Sequence, residues 1–388
     1  MLWVISPPIG HRELNKSEHI KFRRVALAKG NFYVTRRGRL AHAKLQYKTV
    51  GRRLAPAAAI IEFTFKRRNI VKSSIIIHPE ELTKKWIDRM ADGGIDILGL
   101  HPRGGGEAAD TLAELVRLFD ERSFRELIDY AISRGLEIEC EMHAARYLLP
   151  KELFATHPEF FRMNEKGERV ADFNLCVSSA EALSVLAENA VKLAKKLYRC
   201  RPVFYFWLDD AVNVHCMCPR CRELSPSDQL LLAVNKMITE IRREIPNAKM
   251  PYLAYLDSLE VPTSVKPAEG VFLEYAPIEK YKKADAQRIK VEREMLLKQA
   301  EFFGWKDSKV LEYWLDNSLF SNWKKPPVRL NVDREQTIKE IREYADLGFE
   351  NIATFGCFLG EDYDTLYGEA DISAFIDGIH DITTSHNT

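Results

Sequence analysis

Ser74-Ile-Ile-Ile-His78, Ile95-Asp-Ile-Leu-Gly-Leu-His101 and Leu136-Glu-Ile-Glu-Cys-Glu-Met-His143 are the runs that decide the fold of this 388-residue chain. Each is a short, mostly apolar strand. Between them lie amphipathic stretches, Pro79–Asp92 and Asp110–Ser133, whose apolar residues recur with helical period. Strands this apolar, alternating with helices, mark parallel βα units whose sheet is covered on both faces.

The rhythm continues downstream. Further strands are expected at Val203–Asp210, Met250–Asp257, Val271–Pro277, Lys309–Asn317 and Ile352–Leu359, with helices at Ala180–Tyr198, Ser227–Glu244, Ala284–Phe303, Arg334–Leu347 and Ile372–Ile379. Eight strands in a chain of this length fit a closed α/β architecture, a (β/α)8 TIM-like barrel, better than an open sheet. The link Ser258–Gly270 is too short for a full helix, so an irregularity is expected there. Leu148–Ala180, with Pro150, Pro158 and Gly167, is expected to be a long loop after the third barrel strand.

Upstream the pattern differs. His19–Phe22, Asn31–Thr35, Ala43–Tyr47 and Ile60–Phe65 alternate apolar with polar residues and are separated by Lys29-Gly30, Arg37-Gly38 and Gly51. They predict a small antiparallel β-rich module over residues 1–70, ahead of a barrel domain over 71–388. Residues 1–70 hold 16 Lys/Arg against 3 Asp/Glu, so this segment is +13 and the remainder −12 within a net charge of +1. The basic residues alternate with apolar ones, as on solvated strand faces, and this argues against a nucleic-acid surface. The start has no basic, apolar and small-residue leader pattern, and no run is long enough to span a bilayer. A cytoplasmic protein without membrane attachment is expected, with self-association left open.

In a parallel barrel the C-terminal strand ends share one face, and that face carries the chemistry. Here those ends read Glu139-Cys-Glu141-Met-His143, Trp207-Leu-Asp209-Asp210, Tyr255-Leu-Asp257, Glu274-Tyr275, Glu312-Tyr-Trp314-Leu-Asp316-Asn317 and Phe355-Gly-Cys357. Carboxylates crowded in an apolar cup repel one another, so one is expected to keep its proton near neutrality. A proton donor beside a carboxylate is what cleavage of a glycosidic bond requires, and aromatic rings give flat surfaces for sugar C–H faces. Asp210 is expected as general acid, Asp209 as a positioning group, and Glu274 or Glu312 as the partner. Glu141, His143, His101, Trp207, Tyr255, Tyr275, Trp314, Asp316, Asn317 and Phe355 are the candidate substrate-binding residues. A helix cap or ion pair accounts for Asp257, Asp316 or Glu139 about as well as catalysis does. Arg103-Gly-Gly-Gly106 lacks the Lys-Ser/Thr of a phosphate loop and reads as a flexible loop, and no organic cofactor motif is present.

Cys216, Cys218 and Cys221 sit within six residues, and Cys176 in the long loop or His215 supplies a fourth ligand. Three thiols at this spacing suit a structural zinc, with free thiols shaping a loop as the alternative.

His157-Pro-Glu-Phe-Phe, Asn174-Leu-Cys176, Trp207-Leu-Asp209-Asp210, the cysteine block, Ser227-Asp228 and Ala254-Tyr255 together resemble the domain-of-unknown-function family 4838, over about residues 73–360. That family is similar in architecture to glycoside hydrolase family 20 and the α-glucuronidases, and its members are linked to polysaccharide use in bacteria. The resemblance implies that Glu141-Met-His143-Ala144 matches the acid and His-Ala of the family 20 third strand. It also implies that Asp209 and Asp210 match the Asp-Glu pair ending the fourth strand, which orients substrate and donates the proton. Asp210 is one methylene shorter than the glutamate it would replace, so the substrate-assisted mechanism does not carry over. The expectation is a hydrolase of small oligosaccharides or glycosides, with a non-catalytic carbohydrate-binding protein and a metal-dependent sugar lyase or isomerase as rivals.

Overall fold

The computed structural model describes residues 71–199, 201–281 and 286–384, and three earlier strands, β1 (Val25–Ala28), β2 (Asn31–Arg36) and β3 (Arg39–Lys44). These three form an antiparallel meander in which Ala28 pairs with Asn31 and Arg36 with Arg39. β1 was not anticipated, and β3 begins four residues before Ala43. His19–Phe22 and Ile60–Phe65 lie outside the described residues.

Val71–Ser385 is a separate compact unit. It contains eight parallel strands: β4 (Lys72–Ile77), β5 (Ile97–Leu100), β6 (Glu137–His143), β7 (Tyr205–Trp207), β8 (Met250–Ala254), β9 (Val271–Tyr275), β10 (Lys309–Glu312) and β11 (Asn351–Phe355). They pair in the order β7-β6-β5-β4-β11-β10-β9-β8. The ring closes between β7 and β8 through one parallel bridge, Val203 to Lys249. This is the expected (β/α)8 barrel, drawn together where β7 is shortest.

Alternation along each strand divides the core in two. Ile75, Ile77, Leu98, Leu100, Ile138, Met142, Phe206, Leu273, Val310 and Ile352 face the surrounding helices. Ile76, Tyr205, Trp207, Leu253, Phe272, Leu311, Ala353 and Phe355 fill the barrel interior. Helix starts are set by side-chain caps: Thr83, Ser179, Ser225 and Asp333 accept from the backbone N–H of Trp86, Ala182, Asp228 and Gln336.

Two departures from ideality have local causes. Asp110–Ser133 is not one helix but two, Ala108–Leu118 and Arg122–Ser133. Phe119 and Phe124 are both buried, with ring centroids 5.4 Å apart. Residues five apart on a continuous helix point about 140° from each other, so the chain must break for both rings to reach one core. The link Ser258–Gly270 carries no α-helix, as expected. Asp228 fastens it instead, its Oδ1 accepting the backbone N–H of Thr263, Ser264 and Val265 at 2.9–3.0 Å.

Candidate functional site

The interior holds two polar layers, one sealed and one open. The sealed layer is the barrel floor, where Glu139, Glu141, Glu274 and Lys309 point inward from β6, β9 and β10 with their side chains fully buried. Lys309 Nζ lies 2.5 Å from Glu141 Oε2, 3.5 Å from Glu274 Oε1 and 3.8 Å from Glu139 Oε2, and 4.0 Å above the Tyr205 ring. Arg201 pairs with Glu139 at 2.5 Å. Three carboxyl groups thus face two cations. Burial pushes Glu141 up to about 8 and Glu274 up to about 7, against the opposing pull of Lys309, so the layer retains a proton near neutrality. Gly99 makes the room, because a Cβ there would lie 3.1 Å from Glu141 Oε1 and 2.6 Å from Ile76.

Trp207 roofs this layer, its indole N–H donating to Glu274 Oε2 at 2.7 Å. Above it the mouth opens as a cavity of about 590 Å³ at the C-terminal strand ends. Three carboxyl-bearing residues line it, Glu107 in the loop after β5, Asp210 after β7 and Asp316 after β10, among the rings of Trp207, Tyr255, Tyr313, Phe355, Phe358 and Trp323. The Tyr255 hydroxyl donates to Asp210 Oδ1 at 3.1 Å. Asp316 is buried and caps the short helix Asn317–Phe320, its Oδ1 accepting from the Ser318 hydroxyl at 2.5 Å and the Ser318 N–H at 3.1 Å. Burial outweighs these hydrogen bonds and pushes its carboxyl up to about 6.

Three histidines complete the wall. His78, His101 and His143 end or follow β4, β5 and β6, and each turns Nδ1 toward a backbone carbonyl: His101 O at 2.7 Å, Glu141 O at 2.8 Å and Leu208 O at 2.6 Å. A carbonyl only accepts, so Nδ1 carries the proton. Burial pushes the His78 and His101 rings below their ordinary range, and these two stay neutral with Nε2 as an acceptor. Gly104 approaches closely: a Cβ on it would lie 3.1 Å from His143 Cδ2 and 3.7 Å from Asp210 Oδ2. Its loop is anchored, since Arg146 donates to the carbonyls of Gly105 and Gly106 and reaches Asp209 Oδ1 at 3.3 Å. The stretch expected to be a flexible loop is thus tied down beside Asp210.

Several expected site residues stand elsewhere. Asp209 points away from the main cavity, its Oδ2 accepting the Asn174 N–H at 2.7 Å while its own N–H donates to Asn174 Oδ1 at 2.9 Å. It lines a smaller adjoining cavity of about 70 Å³. Glu312 faces outward between the barrel and helix Arg334–Leu347, where Oε1 takes Lys280 and Tyr344 and Oε2 takes Tyr281. Tyr275 and Trp314 lie in that same outer layer, Trp314 donating to Glu340 at 2.6 Å. Glu274 and Glu141 belong to the sealed floor. Asn317 is buried and donates to the carbonyls of Val328 and Phe358. Asp210, Asp316, His101, His143, Trp207, Tyr255 and Phe355 do share the mouth. His78, Tyr313 and Phe358 join them unanticipated, although the three strands that open the barrel each run into a histidine.

Beside the mouth, Cys176, Cys216, Cys218 and Cys221 are buried with all four Sγ atoms within 4.8 Å of one another. Among the described residues this is the only group of three or more Cys, His, Asp or Glu ligand atoms close enough to hold one ion. The mouth histidines do not form such a group.

Residues 120–307 match the model of the family "Domain of unknown function (DUF4838)". No curated protein matches the sequence. Among solved structures, the chain is similar to a GH20 catalytic module of the pneumococcal exo-beta-D-N-acetylglucosaminidase StrH, at 11% identity over 80% of this chain and 84% of that one, with a TM-score of 0.43. It is similar to the beta-galactosidase of the psychrophilic Marinomonas ef1, at 11% identity over 82% of this chain and 60% of that one, with a TM-score of 0.49. Endo-glycoceramidase II from Rhodococcus sp. is similar at 10% identity over 80% and 78%, with a TM-score of 0.47. Among the described residues no helix is long and apolar enough to cross a membrane.

Proposed function

We propose that this protein hydrolyses glycosidic bonds in the barrel mouth, with Asp316 as the proton donor and Asp210 as the partner carboxylate. The observation that carries this reading is the pairing of two carboxyl groups from different elements across one ring-lined cavity. Their surroundings differ in the way the chemistry needs. Asp316, buried and pushed up to about 6, keeps a proton available close to neutrality. Asp210 is half-buried and steadied by the Tyr255 hydroxyl, where it stabilises or attacks the positive charge that develops at the anomeric carbon.

The rest of the mouth suits a sugar. Trp207, Tyr313 and Phe355 present apolar ring surface for C–H faces, and the Nε2 atoms of His78 and His101 accept hydroxyl hydrogen bonds. Phosphate esters suit it less, because among the described residues Arg103 is the only Lys or Arg lining the cavity and it is shared with Glu80 and Glu107.

The roles differ from those the strand-end pattern suggested, since burial raises the Asp316 carboxyl into the range of a proton donor. A panel of nitrophenyl glycosides and glycuronides, assayed with wild type, Asp210→Asn and Asp316→Asn, tests the proposal. Turnover by wild type and its loss in both variants supports it. Sugar binding without turnover in any form, unchanged by Asp210→Asn, would replace it with a binding protein.

A further inference from the structure

We infer that Cys176, Cys216, Cys218 and Cys221 hold a zinc ion that locks the two loops flanking Asp210. The inference stands apart from the proposed hydrolysis, because it rests on the thiol cluster and on the chain segments the cluster joins.

Distances between the thiols fit one central ion. A tetrahedral zinc with bonds of about 2.3 Å requires sulfur atoms about 3.8 Å apart. Cys176 Sγ lies 3.7 Å from Cys218 Sγ and 3.9 Å from Cys221 Sγ. All four residues are buried, and the four Sγ atoms gather around a common point instead of forming pairs.

The surroundings match what a tetrathiolate centre needs. Zinc with four thiolates carries a net charge of −2, which has to be met by donors and cations. The Met163 N–H donates to Cys216 Sγ at 3.3 Å, Arg169 Nη1 approaches the same sulfur at 3.8 Å, and the Ser178 hydroxyl lies 3.2 Å from Cys176 Sγ and 3.4 Å from Cys218 Sγ. A full set of thiolates leaves no open position, so the ion is structural and takes no part in bond cleavage.

What the ion would hold is clear from the chain. Cys176 belongs to the loop after β6, and the other three to the loop after β7. Two residues before Cys176 stands Asn174, clamped reciprocally to Asp209, and the next residue is Asp210. Gln229, on helix Pro226–Glu244, closes the other side by accepting from Cys216 N–H and donating to the carbonyls of Cys216 and Cys221. The centre therefore ties both loops to a helix of the barrel.

Elemental analysis of the full-length protein, purified under reducing conditions without added chelator, is expected to find close to one zinc per chain. Cobalt exchanged into the site is expected to give the intense visible and near-ultraviolet bands of a tetrahedral thiolate complex, a readout independent of any activity. Hydrogen exchange after chelation is expected to rise sharply in residues 158–179 and 208–224 while the barrel strands stay protected. Cys218→Ser is expected to lower metal content and mimic the chelated exchange pattern. If that variant fails to fold, the metal content and cobalt spectrum of wild type still decide. A protein that stays metal-free after reconstitution with zinc, or a cobalt adduct lacking thiolate bands, overturns the proposal. A coloured, stoichiometrically iron-loaded protein overturns the identity of the ion. Zinc loss that leaves exchange in both loops unchanged overturns the locking role.

Discussion

The barrel floor and the barrel mouth both gather carboxyl groups among apolar side chains, yet only one of them can meet a substrate. In the floor, Glu141 and Glu274 are pushed up further, to about 8 and about 7, than Asp316 in the mouth, at about 6. Judged by perturbation alone, the floor would be the active site. It is closed by Trp207 above, and its charge is answered internally by Lys309 and Arg201. A raised carboxyl pKa marks desolvation, and desolvation serves structure as readily as catalysis. Access to a cavity separates the two regions.

Asp316→Asn probes the contrast most severely. Asparagine can still cap helix Asn317–Phe320 through its side-chain oxygen, so stability should change little. It has no acidic proton, and turnover should fall by roughly 10²- to 10⁴-fold, the usual contribution of a general acid. In wild type the rate should decline as pH rises through about 6, where Asp316 gives up its proton. A variant that loses stability and activity together would make Asp316 a cap only and erase the contrast.

Lys309→Met attacks the other side. It leaves Arg201, which pairs with Glu139, as the remaining cation of the floor, and removing one member of such a buried set typically costs about 3–5 kcal/mol. Chemical denaturation should show that loss, or the chain should fail to accumulate. Glu274→Gln should do the reverse of what a catalytic role demands, because it removes the surplus carboxyl and keeps an acceptor for the Trp207 indole. Its stability at neutral pH should lie within about 1 kcal/mol of wild type, as for charge-neutralising changes that leave hydrogen bonds intact. The pH dependence sharpens this. Floor carboxyls raised above their unfolded values bind a proton in the folded state that the unfolded chain has released, so their contribution is fullest at low pH and is lost as pH rises through about 7 to 8. Glu274→Gln should flatten that decline; an unchanged profile would place the retained proton elsewhere.

The same contrast explains what the sequence made legible. Strand positions were readable because parallel barrel strands are apolar on both faces, and the missing helix in Ser258–Gly270 was readable from length alone. Side-chain destination was harder. Lys309, Leu311 and Tyr313 point inward, so alternation sends Glu312 and Trp314 outward, a parity present in the sequence that grouping acids by strand overlooked. Glu274 has the right parity but the wrong depth: it pairs in register with the buried Lys309 and lies beneath the Trp207 indole, below the cavity. Depth depends on strand stagger around the barrel, which no single strand encodes. Asp209 and Asp210 were undecidable by parity because β7 ends at Trp207 and the chain turns immediately. His78 was within reach, since β4, β5 and β6 each lead into a histidine.

The mildest test concerns the loop that overhangs Asp210. Gly104 has φ −83° and ψ −156°, within reach of any residue, so alanine there adds no backbone strain. Its methyl group would instead meet His143 Cδ2 at 3.1 Å, inside ordinary van der Waals contact, and press toward Asp210 Oδ2 at 3.7 Å. Arg146 holds the next two carbonyls, so the loop has little freedom to retreat and the histidine must give way by a few tenths of an ångström. Gly104→Ala should therefore leave the unfolding midpoint near that of wild type and lower kcat/KM by a few-fold, through displaced side chains at the Asp210 side of the mouth. The floor predicts no such effect, since nothing in it touches this loop. Unaltered kinetics would mean that substrate does not approach along the Gly104 edge, and would move the productive subsite toward Asp316 and Trp323.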